Sequence, residues 1–197
     1  MNYASRIAAA AALLFVGLPG AALADPPPPP MPPARILLVD RNEVLGRSAV
    51  GQSIMRQVQA LVTSAKASLS ARGQALQKEQ AQLQQQLPIL SGAVKDAKVK
   101  AFNAKRVAFQ SDMEKQQGLI QGGLMVARNQ VLQALKPILQ KIMVERGGNI
   151  LLERGAALEW IPAYDITAIA VQRLNQAMPN LTVKPTPMPQ QPGGPQQ

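Results

Sequence analysis

"GGNILLERGAALEWIPAYDITAIAVQRL", residues 147–174, changes character three times within one short stretch. It opens on a glycine pair suited to stopping a helix. "NILLE" (149–153) follows, apolar on both faces, as expected of a strand covered on both sides. "RGA" supplies a turn, and "ALEWI" (157–161) reads as a further strand. In "ITAIAVQRLNQA", Ile166, Ile169, Ala170 and Leu174 form one apolar helical face, and Asp165 stands where an N-cap carboxylate would accept from the first free amides. Glu153 and Glu159, beside Trp160 and Tyr164, raise a second reading as a catalytic carboxylate pair.

Which reading holds depends on what the stretch is attached to. Near the other end of the chain, "RILLVD" (35–40) is another strand apolar on both faces, followed by a short helical segment ending around Gly51. From about Ser53, apolar residues recur every seven positions: Met55, Val62, Leu69, Leu76, Leu83 and Leu90. Three residues after the first five come Val58, Ala65, Arg72, Glu79 and Gln86, so one coiled-coil seam persists while the second turns polar. Pro88 and Ser91–Gly92 interrupt the pattern and predict the reversal of an antiparallel hairpin. A return helix is expected from about Val94 to Glu145, with Gly122, Gly123 and Pro137 as weak points that predict a bend or a hinge. The strands at 35–40, 149–153 and 157–161 must share one sheet, because none is stable alone. So small a core, with strands so apolar, is expected to bury its surplus by self-association.

The flanks have a different character. Residues 1–24 carry Arg6, an apolar run and the small-residue pattern Ala22–Ala24, which predicts an exported protein with cleavage after Ala24. Residues 25–34 form a proline-rich linker suited to polyproline II, and 179–197 form a Pro/Gln-rich tail expected to be disordered. With no cysteine and no histidine, the chain lacks thiolate chemistry, the commonest general base and the commonest metal ligand. No cofactor is expected. The net charge is +10, yet three Phe, two Tyr and one Trp make no stacking platform, which argues against nucleic acid and for anionic envelope partners.

The order of parts resembles the Skp family of periplasmic chaperones, also called the OmpH family. "ILLVD" with its short helix, the long polar hairpin, "GGNILLERGAALEW" and "YDITAIAVQRLNQ" carry the resemblance over about residues 35–176. It implies an α+β fold with a small β-sheet trimerisation body (35–52 and 147–178) and an inserted antiparallel coiled-coil arm (53–146), assembled as a jellyfish-like homotrimer. It also implies a periplasmic, ATP-independent holdase that encloses unfolded outer-membrane proteins between its arms and is not an enzyme. Lipopolysaccharide or other anionic lipid is a further expected partner.

Candidate residues follow from these expectations. Leu69, Leu76, Leu83, Leu87, Leu90, Phe102 and Phe109 are candidates for plural, weak client contacts, and equally for zipping the two helices together. Lys95, Lys98, Lys100, Lys105 and Arg106 form a basic arm tip with few acids nearby, suited to acidic clients or anionic lipid. Ile36, Leu38, Ile150, Leu152, Leu158 and Trp160 are the expected body and trimer core. The alternatives are an envelope hydrolase using Glu153 and Glu159, and a coiled-coil scaffold or adaptor without chaperone activity.

Overall fold

The computed structural model describes residues 32–189. The expected signal peptide, residues 25–31 of the proline-rich linker and the last eight residues of the tail lie outside them. Among the described residues, those from 34 onward form one compact unit, so arm and body are continuous.

β1 (Ile36–Val39) opens the described fold and leads directly into α1 (Arg41–Arg47). Asp40 caps α1 through a 2.8 Å bond from the Glu43 amide. Ser48 closes α1 and starts α2 (Ala49–Gln86), its hydroxyl accepting from the Gly51 amide. The long helix therefore begins four residues before the expected Ser53, because Ser48 is a cap and Gly51 is no stop. A single 3₁₀ turn, Leu87–Ile89, reverses the chain into α3 (Gly92–Glu145). At about 1.5 Å per residue the 38 and 54 residues of α2 and α3 span about 57 and 81 Å. Neither glycine at 122–123 nor Pro137 ends α3.

α3 stops in a Schellman turn, with Gly148 N bonded to Met143 O, Gly147 N to Val144 O, and Gly147 at φ 66°. β2 (Ile150–Glu153) then pairs with β1 in parallel, Ile36 opposite Ile150 and Val39 opposite Glu153. The parallel direction follows from the arm, which acts as the long crossover that such a pair requires. Leu38 also bridges Asp165 on its other side, and α4 (Thr167–Ala177) completes the body.

Two expectations are corrected. Residues 157–161 are not a strand: the chain passes through a 3₁₀ turn at Arg154–Ala156 and continues irregularly to a second at Pro162–Tyr164. The described sheet has two strands, and the expected β-hairpin does not form: β2 pairs with β1 alone, and 157–161 takes no place beside it. Nor is the chain unstructured from Pro179. From Leu181 to Met188 the chain packs against both arm helices, with Val183 only 6% exposed. One buried apolar side chain and backbone bonds order a segment whose composition signals disorder.

The core gathers at one end of the molecule. Leu37 and Val39 of the sheet, Val44, Val50 and Ile54, then Val131, Leu135, Leu139 and Ile142 of α3 pack against Ile166, Ala170 and Leu174. The other face of the sheet is turned away from that core: Ile36, Ile150 and Leu152 are exposed on it, while Leu38 is buried.

Candidate functional site

Beyond the core the arm is held by a narrow mixed seam. Leu69, Leu76, Leu83, Leu87, Leu90 and Phe109 are half-buried and Phe102 is buried, so all seven candidates face the helix–helix contact at least in part. The polar positions of the second heptad seam are paired across the hairpin. Arg72 meets Asp112 at 2.6 Å, Glu79 meets Lys105 at 2.6 Å, and Gln86 accepts from Lys98 at 2.6 Å. Each step of seven up α2 matches a step of seven down α3, so the fading seam is a polar ladder. Arg72 additionally lies over the Phe109 ring at 5.7 Å.

This alters the basic tip. Lys105 and Lys98 are engaged by the ladder, contrary to the expectation that the tip cations lack partners. Among the described residues Lys95, Lys100 and Arg106 have no salt bridge. Beside them stand apolar side chains that sequence spacing did not select: Ile89 is 82% exposed in the reversal, and Val94 and Val107 are also exposed. Ile89 follows Pro88, whose 3₁₀ turn breaks the heptad count and aims the next side chain outward. Nearer the body, Val58, Val62, Leu69, Met113, Ile120 and Leu124 line an apolar groove of about 550 Å³ between the arm helices.

At the body, Ile36, Leu38, Leu152, Trp160, Ile161 and Tyr164 border a hollow of about 780 Å³. Leu158 projects fully into solvent, 101% exposed. Glu159 also lines the hollow, whereas Glu153 is taken by Arg41, accepting from its amide at 3.0 Å and its Nε at 2.7 Å.

The strongest electrostatic feature centres on a residue that sequence patterning missed. Arg154 donates to Asp40 at 2.7 Å, Glu43 at 2.6 Å and Asp165 at 3.0 Å, with its guanidinium 5.8 Å from the Trp160 ring centre. Hydrogen bonds from Arg47 and Arg154 hold the Glu43 carboxyl below its ordinary range. For Asp165, burial works upward, but bonds from Thr167 and Arg154 outweigh it and lower the pKa. Asp165 is not itself the N-cap of α4, a place that falls to Ile166; it stands one residue earlier and accepts from the amide of Thr167, the first helical residue, at 2.8 Å. The available signal was a lone arginine in a turn between segments that each carry an aspartate at a helix start.

A family model, the outer membrane protein (OmpH-like) family, matches residues 35–174, from the first residues of the sheet through the core face of α4. The chain belongs to the OmpH-like family. No curated protein matches it. Among solved structures it is similar to an OmpH-like protein of Caulobacter crescentus, assigned as an outer membrane chaperone, with 22% identity and a TM-score of 0.74. That likeness covers 82% of this chain and 96% of the other, and it supports the shared fold. The OmpH-like match stops before the extended segment at 179–189.

Proposed function

We propose that the protein is an ATP-independent periplasmic holdase that receives unfolded outer-membrane proteins between the arms of a homotrimer. The observation that carries this reading is the arm: an OmpH-like hairpin about 57 Å long on α2, projecting from a core confined to its base, with Ile89, Val94 and Val107 exposed beside Lys95, Lys100 and Arg106. Small exposed apolar groups among cations without salt bridges give plural, weak contacts, which a protein with many clients needs. The chaperone assignment of the C. crescentus relative supports the same class. Self-association is supported by the apolar rim of the body, where Ile36, Ile150, Leu152, Leu158 and Trp160 are exposed. The reading involves no catalysis; the chain has no histidine or cysteine, and Glu153 is held by Arg41. Export through residues 1–24 places the protein where such clients travel. Anionic lipid or lipopolysaccharide is a second partner for the free tip cations.

The test is dilution of a urea-unfolded porin into buffer containing the mature protein, without ATP. Suppressed light scattering at about one trimer per client is expected, weakening as salt rises through about 0.15 M, where the screening length is about 8 Å. Unchanged porin aggregation at low salt would favour a scaffold instead.

A further inference from the structure

The extended segment from Leu181 to Met188 lies across both arm helices where they leave the body. On α2, the Gln57 side-chain amide grips the segment on one edge, Nε2 donating to Leu181 O at 2.7 Å and Oε1 accepting from Val183 N at 2.9 Å. The same Nε2 lies 3.1 Å from Ser53 Oγ, which orients the amide. On α3, Leu119 O accepts from Thr186 N at 2.9 Å. Gly122 and Gly123 form a notch under the segment: a Cβ there would stand 2.1 Å from Thr186 O and 2.5 Å from Lys184 O. No side chain larger than hydrogen fits beneath this backbone. Of the side chains, Val183 is buried, Leu181 half-buried, and Thr182 and Lys184 exposed.

Recognition is therefore mostly of main chain, with apolar side chains taken at alternate positions. That is how an added extended strand is read: backbone bonds hold it, and alternate pockets sort it. We propose that Gln57, the Leu119 carbonyl and the Gly122–Gly123 notch form a binding site for extended polypeptide, occupied at rest by the chain's own strap and exchangeable for a segment of an unfolded client. The client half of this inference rests on the holdase reading above. Its chemistry fits, because membrane-barrel strands alternate apolar and polar residues, as Leu181-Thr182-Val183-Lys184 does. The strap is tethered, so it competes at an effective concentration in the millimolar range, and a client segment enters only where clients are themselves held nearby.

The experiment uses the full mature chain and a fluorescent peptide of residues 180–189, read by anisotropy. Val183→Asp loosens the strap and is expected to raise peptide affinity about tenfold or more over wild type, as removal of a tethered competitor does. Thr186→Pro deletes the donor to Leu119 without touching the core, and serves if V183D does not fold by circular dichroism. Adding Gln57→Ala or Gly123→Leu to either variant is expected to abolish binding while helicity persists. Urea-diluted porin is then expected to displace the peptide. Equal binding by wild type and loosened variants overturns the proposal, as does no binding by them, or binding that survives G123L. Peptide binding without porin displacement leaves a strap site and overturns its client role. The porin aggregation assay on wild type reads the holdase separately, so the two failures are distinguishable.

Discussion

Arg154 holds three separate segments at one point: the start of α1 through Asp40 and Glu43, the turn after β2, and the entry to α4 through Asp165. Removing it leaves three carboxylates facing one another, and like charges at this range repel. Arg154→Ala is expected to lower the unfolding temperature, and Arg154→Lys to recover only part, since an ammonium cannot match the guanidinium fork. The pH dependence carries the same signature. Glu43 and Asp165 are both lowered from ordinary values of 4.5 and 3.8, so they bind protons more weakly folded than unfolded. Their contribution is fully present above pH 4.5 and is lost as pH falls through the lowered folded values. Thermal unfolding between neutral and acid pH should show wild type losing stability over that window and R154A losing less. Asp165 was legible as a carboxylate at the start of α4, one residue before the actual N-cap, because its bond to the Thr167 amide is local. Arg154 was not, because its partners lie up to 114 positions away.

At the scale of the element, the arm shows what heptad spacing conveys and what it omits. The apolar stripe from Leu69 to Leu90 and the polar turn of the second seam were visible in the spacing of one helix. The pairing of that polar seam was not, because it depends on where the reversal falls. With a 3₁₀ turn at Leu87–Ile89, Glu79 arrives opposite Lys105. Both side chains are substantially exposed, so the pair contributes only about 0.2–1 kcal/mol. Glu79→Lys is expected to weaken the hairpin by a similar amount, seen as faster amide exchange in the outer half of the arm. The swap E79K/K105E should restore it, and 1 M salt should erase the difference by shortening the screening length to about 3 Å. The same logic explains the glycines. Gly122 and Gly123 read as a weak point in isolation, yet they are the floor on which the strap lies.

For the whole molecule, the miss at residues 157–161 bears on assembly. Four apolar residues around Glu159 predicted a strand, yet 157–161 pairs with neither described strand, and Leu158 stands 101% exposed with Ile161 and Trp160 also open. Hydrophobic pattern is a property of the segment, whereas strand pairing is a property of what meets it. These side chains belong to none of the chain's own core, which is built from Leu135, Ile142, Ile166 and Leu174 among others. Two substitutions separate assembly from folding. If the proposed homotrimer forms, Leu158→Asp together with Ile161→Asp is expected to leave helicity intact but lower the native mass from three subunits to one, measured by light scattering behind a sizing column. Leu135→Ala, in the core, should cost about 2–5 kcal/mol of stability in denaturant titration while the folded fraction keeps the wild-type mass. If the double aspartate variant keeps the wild-type mass, the exposed rim is not the assembly surface. Loss of porin protection in parallel with mass would tie holding to the enclosure formed by several arms, since each arm's tip remains unchanged.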